Sequence, residues 1–442
     1  MERLTAFVSE HLNDDTTRLI MNRAKWPEID MDLAVGCIES RRKLKGKVQE
    51  WYDEPGLIFP RKLSAEQCSS SATGIYKAEL AEKIARHSSP AEIESFKLAD
   101  LTGGLGVDSW YFSQKAEKVL YCEMLPELCM AARHNFSILG SENIHVRNVA
   151  VCAKTENEMS IFQTPSQILS DFHADIVYMD PARRGEGGKK VFLIEDCTPD
   201  VLNLKDEIFQ NTRHLLIKLS PMADITMVCE RLGRCCREVH VVAAGGECKE
   251  LLVWLDREWD DEYIIHAVEL HKKNEVGLFS FTVAQEKGAR PMLSASEKYN
   301  NNVLYLFEPG KALMKAGAFN LISERFELDK LGRSTHYYTF SDTLSSETSE
   351  ESKAMMLLKH GKVFRIIRME PLDKRTIKAA GKEFPKAEVT ARNIPMDTET
   401  LRKKLGVTSG DDAHIFGLKS DSAGMLLLVC SNLKKEYVRG EF

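Results

Sequence analysis

Four ionisable side chains stand where apolar runs of this 442-residue chain begin, end or are interrupted. Asp180 follows Ile-Val-Tyr-Met. Lys218 interrupts His-Leu-Leu-Ile-Lys-Leu. Glu250 opens a run continuing to Leu255, and Lys77 lies in a helical Tyr-Lys-Ala-Glu-Leu stretch upstream of a glycine-rich loop. Burying a lysine in a strand costs several kcal/mol unless something compensates it. Two lysines and two carboxylates brought together could orient a weak nucleophile and take its proton, with Lys218 as base, its pKa lowered by desolvation and by Lys77. The blander readings are a Lys218 that snorkels at a strand end and a Glu250 paired with Lys249 or Arg257. Asp180 is the hardest of the four to explain by packing alone.

The positioning elements are legible around the loop Asp100-Leu-Thr-Gly-Gly-Leu-Gly-Val-Asp108, which follows an apolar run and precedes a helical pattern. Glycines there let a cofactor lie against bare backbone. The stretch resembles the Asp-x-Gly-x-Gly-x-Gly loop of S-adenosylmethionine methyltransferases through Asp100, Thr102, Gly104 and Gly106, with Thr102 replacing the first glycine. No Gly-Lys-Ser/Thr follows, which excludes a P-loop. A second strand, Val-Leu-Tyr-Cys-Glu, ends in Glu123 about twenty residues on, where such folds hold ribose hydroxyls. Leu125, Leu128, Ala132, Phe136 and Leu139 then recur at helical spacing, completing a βαβ unit. The expected cofactor set is Asp100, Thr102, Gly103, Gly104, Gly106, Asp108, Glu123 and Asp180. An NAD enzyme on the same fold is the competing class, with Ser109 as its third small residue.

In chain order Lys77, Asp180, Lys218 and Glu250 resemble the K-D-K-E tetrad of RNA 2'-O-ribose methyltransferases, which favours a ribose hydroxyl as acceptor. A second reading takes Asp180-Pro181-Ala182-Arg183 as a variant of the Asp-Pro-Pro-aromatic motif of exocyclic-amine base methyltransferases (guanine N2 or adenine N6), with Arg183 where the stacking aromatic would stand. Cysteine attack on a pyrimidine through Cys197 or Cys248 lacks the Pro-Cys context. A non-enzymatic alternative is an RNA-binding protein with a non-catalytic core. Arg183, Arg184, Lys189 and Lys190 follow the motif in a glycine-containing loop that could grip phosphates.

Bulk composition is that of an ordinary globular protein: 43% hydrophobic, 29% charged, formal net charge -6. The N-terminus lacks a signal-peptide layout and no apolar run approaches a membrane span, so a cytoplasmic protein without membrane contact is expected. Eleven cysteines without Cys-x-x-Cys pairs and twelve histidines without ligand spacing predict neither disulfides nor a metal. The negative net charge argues against wholesale nucleic-acid coating. From Lys353 to Lys404, however, fourteen Lys and Arg face six Asp and Glu, making that stretch the expected polyanion contact.

Glu66-Gln67 with Ser69-Ser70, Tyr76-Lys77-Ala78, the loop from Asp100 to Asp108, Asp180-Pro-Ala-Arg-Arg184, Lys218-Leu-Ser-Pro-Met222 and Lys249-Glu-Leu-Leu-Val253 together resemble a bacterial family of class I S-adenosylmethionine-dependent methyltransferases with a ferredoxin-like domain and a THUMP-like C-terminal domain. Glu308-Pro309, Met314-Lys-Ala-Gly-Ala-Phe319 and Ala391-Arg-Asn-Ile-Pro395 fit too, whereas Ser71 departs from the acidic residue expected after the two serines. The resemblance implies an α/β Rossmann-like core, S-adenosylmethionine as cofactor and RNA (rRNA or tRNA) as partner, touched by Arg183, Arg184, Lys315 and Arg392. The expected organisation is a helical N-terminal region (1–80), the Rossmann-like domain (81–260), a ferredoxin-like α+β domain (261–340) with a helix over 313–322, a serine-rich acidic linker (341–355) and a THUMP-like α+β domain (356–434).

Overall fold

The computed structural model describes residues 2–88, 95–154, 161–183, 193–272, 275–293, 304–341 and 352–433. The chain divides into two compact units, Met1–Val239 with Glu250–Glu262, and His240–Lys249 with Tyr263–Phe442.

The first unit opens with short helices at Glu2–Glu10, Thr16–Met21, Met31–Leu44, Gln49–Asp53 and Lys62–Gln67. Asp15 and Asp30 cap two of them by accepting from first-turn amides. Leu4, Phe7, Val8, Leu19, Ala34, Cys37 and Ile38 form their shared core. Buried Arg41 donates to the carbonyls of Tyr52, Glu54, Pro55 and Leu57, which fixes the exit loop. These helices then lead into α1 (Ser71–Ser88). Because α1 runs on past the expected domain boundary at residue 80, Lys77 lies inside a continuous helix.

Beyond α1 the elements alternate: β1 (Lys97–Asp100), α2 (Val107–Ser113), β2 (Lys118–Glu123), α3 (Pro126–Ile138), β3 (Ile144–Asn148), β4 (Ile176–Met179), α4 (Val201–Asn211), β5 (His214–Leu219), α5 (Ile225–Leu232), β6 (Cys236–Ala244) and β7 (Glu247–Asp256). The strands lie in the order 3-2-1-4-5-7-6. Neighbours from β3 to β5 are parallel and β7 is antiparallel to β5. Ile144–Asn148 is the third strand of the sheet; among the described residues Phe162–Gln163 pairs with Ala150–Val151. The run Ile176–Met179 is wholly buried, as a strand covered on both faces must be. Strand order reverses between β1 and β4, and in such sheets ligands bind at the strands' carboxyl ends beside that reversal.

The second unit holds the antiparallel hairpin β8 (Ile264–Leu270) and β9 (Val276–Thr282). It also holds an eight-stranded sheet built from β10 (Met292–Leu293), β11 (Leu304–Pro309), β12 (Asp329–Lys330), β13 (Tyr338–Ser341), β14 (Gly361–Pro371), β15 (Lys386–Arg392), β16 (Thr408–Ser420) and β17 (Gly424–Asn432). Their order is 10-12-13-11-14-17-16-15. The pairing of β11 with β14 joins the two small domains expected from sequence into one sheet. Leu306, Leu331 and Tyr337 accordingly share a core with Phe364, Phe416 and Leu428. The linker expected between them falls mostly on 342–351, outside the described residues.

The helix expected over 313–322 is instead two, α6 (Lys311–Ala316) and Leu321–Arg325. Gly317 at φ 84° ends the first, since a left-handed residue cannot continue an α-helix. Further on, α7 (Lys374–Glu383) and α8 (Thr398–Leu405) cover one face of the sheet through Ile377, Ala380, Leu401 and Leu405.

Candidate active site

The glycine loop leaves β1 and enters α2. Gly104 (φ 55°) and Gly106 (φ 93°) occupy left-handed backbone that favours glycine, and a Cβ on Gly103 would lie 2.2 Å from the Tyr121 ring. Glu123 ends β2 with its oxygens accepting from the Gly104 amide at 3.0 Å and the Leu125 amide at 2.8 Å. Each oxygen keeps a lone pair for a ribose hydroxyl. Loop and carboxylate thus fit a nucleoside cofactor such as S-adenosylmethionine.

Asp100 is turned inward beneath the loop. Its carboxylate accepts from Ser109 Oγ at 2.6 Å and from the Thr102 amide at 3.0 Å, and burial pushes its pKa up to about 7. Its visible role is to tie the loop to α2. The Thr102 hydroxyl donates to Asp100 Oδ1 at 3.5 Å while its Oγ1 accepts the Asp180 amide at 2.6 Å, linking the loop to the end of β4.

Beside this loop the four residues singled out in the sequence meet around a fifth. Lys77, fully buried, donates to Glu250 Oε1 at 2.7 Å and Ser69 Oγ at 2.9 Å, and lies 3.3 Å from Asp108 Oδ1. Lys218 pairs with Asp180 Oδ2 at 2.5 Å and stands 3.9 Å from Asp108 Oδ2. That same Oδ2 accepts from Ser69 Oγ at 3.0 Å and from Tyr178 OH at 2.8 Å. The Asp180 side chain is 39% exposed against 12% for Lys218, so the cluster opens to solvent at Asp180.

The electrostatics correct one expectation. Burial acts to lower the Lys218 pKa, but Asp180, Asp108 and Glu250 outweigh it and raise the value above an ordinary lysine's. Lys77 does not touch Lys218 within hydrogen-bonding distance; Asp108 stands between them. Asp108 itself is pressed upward by burial and pulled further down by Lys77 and Lys218, so its pKa is lowered. Glu250 goes up, because burial exceeds the pull of Lys77 and Lys218. Lys218 is therefore a cation at neutral pH.

Asp108, expected among the cofactor residues, lies within the lysine cluster. Ser69 and Tyr178 were missed as members. The signal for Tyr178 was a hydroxyl inside a buried run two residues before Asp180; next to Ser69, Ser70 serves the start of α1, its Oγ accepting the Thr73 amide. Arg183 lies in the two-residue strand Ala182–Arg183, with its side chain outside the described part, as are all of Arg184, Lys189 and Lys190. Lys315, half-buried on α6, and Arg392, exposed at the end of β15, belong to the second unit.

Family models match a ferredoxin-like domain over residues 305–346 and a THUMP domain-like module over 361–432. A crystal structure of a "putative methyltransferase" from Porphyromonas gingivalis W83 superimposes with a TM-score of 0.77 at 28% identity, covering 98% of both chains. An rRNA methylase from Streptococcus thermophilus (12% identity) and SMU.1697c from Streptococcus mutans in complex with SAH (14%) each overlap 40% of this chain, covering 94% and 96% of their own, with TM-scores of 0.27. Those two likenesses are too slight to bear on the argument. No curated protein matches the sequence.

In fold, the chain is a Rossmann-like methyltransferase of class I. It carries a ferredoxin-like and a THUMP-like domain at its C-terminal end. No helix among the described residues is long and apolar enough to cross a membrane.

Proposed function

We propose that this protein transfers the methyl group of S-adenosylmethionine to RNA, with a ribose 2'-hydroxyl as the favoured acceptor. The observation that carries the reading is the convergence on Asp108 of Lys77, paired with Glu250, and Lys218, paired with Asp180, beside the glycine loop and at the strand reversal of a methyltransferase fold. RNA as the substrate class is supported by the THUMP domain-like module and by a lysine row on α7, where Lys374, Lys378 and Lys382 recur every fourth residue and are all exposed.

Gly103, Gly104, Gly106 and Glu123 would hold the cofactor, which supplies an already electrophilic methyl group. The protein's own task is then alignment and removal of one proton. Asp180, the exposed member of the cluster, meets the incoming hydroxyl. Lys218 holds that carboxylate in place and, remaining charged, stabilises negative charge growing on the acceptor oxygen. The proton passes to the Asp180–Lys218 pair. Lys77, Glu250 and Asp108 lie behind it and keep Lys218 from moving.

A second reading has an exocyclic amine as acceptor. The charged state of Lys218 favours it, because a neutral amine attacks through its lone pair without a base removing a proton first.

Labelled methyl transfer to RNA lacking the modification, followed by nucleoside digestion and mass spectrometry, tests the proposal with Lys218→Ala and Asp180→Asn alongside. A 2'-O-methylated nucleoside lost in both variants is the expected result. A methylated base would replace the ribose reading by the amine one, and absence of transfer to any RNA fraction would refute RNA as substrate.

A further inference from the structure

The second unit buries a lysine with no carboxylate at ion-pair distance among the described residues. Lys330 in β12 is 2% exposed, and its only hydrogen-bond partner among the described residues is the neutral Asn320 Oδ1, at 2.9 Å. An ammonium carries three donors, so two are left over in a place where desolvation is costly. The neighbouring carboxylates are engaged elsewhere: Glu286 accepts from the Asn320 and Leu321 amides, Asp421 from the Arg333 amide, and Glu308 from Tyr337 OH.

Three further features collect around it. The His336 ring stacks on Phe319 with centroids 3.8 Å apart and planes at 17°, and its buried Nδ1 has no hydrogen-bond partner. Asn393 donates to Ser334 O at 2.7 Å and Thr335 Oγ1 at 3.2 Å, which pins the turn after β15 against the segment leading to His336. Arg392, exposed at the end of β15, has no carboxylate within ion-pair distance among the described residues. Burial, then Lys330 and Arg392, push the His336 pKa down to about 4. Phe319, Asn320 and Arg392 come from or adjoin the two stretches, 314–319 and 391–395, that stood out in the sequence and that the methyl-transfer chemistry leaves unused.

We propose that Lys330, His336 and Arg392, backed by the Phe319 ring, form a subsite for a phosphate group of an RNA strand. The inference rests on RNA being the substrate and assigns one contact of it. Two cations without an ion-pair partner among the described residues and an unpartnered imidazole nitrogen offer donors that phosphate oxygens require; Glu286 and Asp421 act on Lys330 from beyond ion-pair distance, and burial outweighs them. A free nucleotide would present the same phosphate chemistry, and the experiment separates the two sources.

The full chain is compared with Arg392→Gln and Lys330→Met. Binding of a labelled RNA stem-loop is followed by anisotropy across a salt series, adenosine monophosphate binding by calorimetry, and S-adenosylhomocysteine binding by calorimetry as a separate readout of the cofactor site. Melting temperatures establish that each variant folds; Arg392, being exposed, carries the test if Lys330→Met does not. The expected result is a several-fold to about tenfold loss of RNA affinity with the salt slope reduced by about one, and S-adenosylhomocysteine binding intact. Loss of adenosine monophosphate binding with RNA binding unchanged would overturn the RNA strand in favour of a free nucleotide. Unchanged binding of both ligands, or no binding of either by the parent chain, overturns the subsite. Failure of S-adenosylhomocysteine to bind the parent chain would instead count against the methyltransferase reading and leave the subsite standing on its own result.

Discussion

Lys77 and Lys218 are held by the same carboxylate: Asp108 places Oδ1 3.3 Å from the first ammonium and Oδ2 3.9 Å from the second. Removing one partner of a buried ion pair strands the other, at a cost of about 3–5 kcal/mol. Asp108→Asn is expected to destabilise the protein by that order and to abolish methyl transfer. For the pair Lys77→Met and Glu250→Gln, the double variant should be more stable than the sum of the singles by about 2 kcal/mol. Urea unfolding of the four proteins measures this; simple additivity would mean the 2.7 Å contact carries no coupling.

Lys218 stays protonated because three carboxylates outweigh its desolvation. Its sign is that of a lysine whose pKa is raised, so the charge persists through the working range and is lost only in strong alkali. The rate of methyl transfer should therefore show no ascending limb between about pH 7 and 10 from this group. A sigmoidal rise near neutrality, absent in Lys218→Met, would establish a neutral lysine base and contradict the electrostatics described above.

Gly103 has no room for a side chain, its Cβ position lying 2.2 Å from the Tyr121 ring. Gly103→Ala must displace that ring, whose hydroxyl donates to Gly104 O. A stability loss of about 1–3 kcal/mol and at least tenfold weaker S-adenosylhomocysteine binding are expected, read by thermal melting and calorimetry. Gly140→Ala is the control: it has positive φ but open space, and should cost about 1 kcal/mol with the cofactor site untouched.

His214 is buried, its Nδ1 accepts from Trp254 Nε1 at 3.2 Å, and burial holds its pKa down to about 4. The unfolded imidazole takes its proton near the ordinary value of about 6.5. Its stabilisation is thus complete above about pH 6.5 and is lost as pH falls towards 4, amounting to about 3 kcal/mol. His214→Gln keeps an acceptor for Trp254 and should flatten this part of the pH–stability curve. An unchanged slope in unfolding experiments between about pH 6.5 and 4.5 would show that His214 does not contribute it.

Lys374, Lys378 and Lys382 form an exposed row on α7, opposite buried Ile377 and Ala380. Changing all three to Gln should leave the fold intact, weaken RNA binding, and lower the salt slope by up to about 3. Equal affinity of variant and parent across a salt series would remove this face from the RNA contact.

Local chemistry made much of this architecture legible. Apolar runs such as Ile176–Met179 declare buried strands by composition alone, and glycines before a helical pattern declare a loop that needs left-handed backbone. Strand and helix alternation followed from the same periodicities. Where chain order had to stand for space, reading was less complete: Gly317 split an expected helix, and the pairing of β11 with β14, which places strands of the two small domains in one sheet, left no sign in composition.

The sequence by itself determined the residue types at the strand ends, Lys77, Asp180, Lys218 and Glu250, because an ionisable group in or beside an apolar run conflicts with burial wherever it lies. Only the tertiary structure decided their partners and charge states. Lys77 and Glu250 are 173 positions apart, and it is the fold that seats Asp108 between two ammonium groups. Desolvation depends on burial, and Coulomb energy on distance, so the direction of the Lys218 pKa reversed once three carboxylates were placed around it.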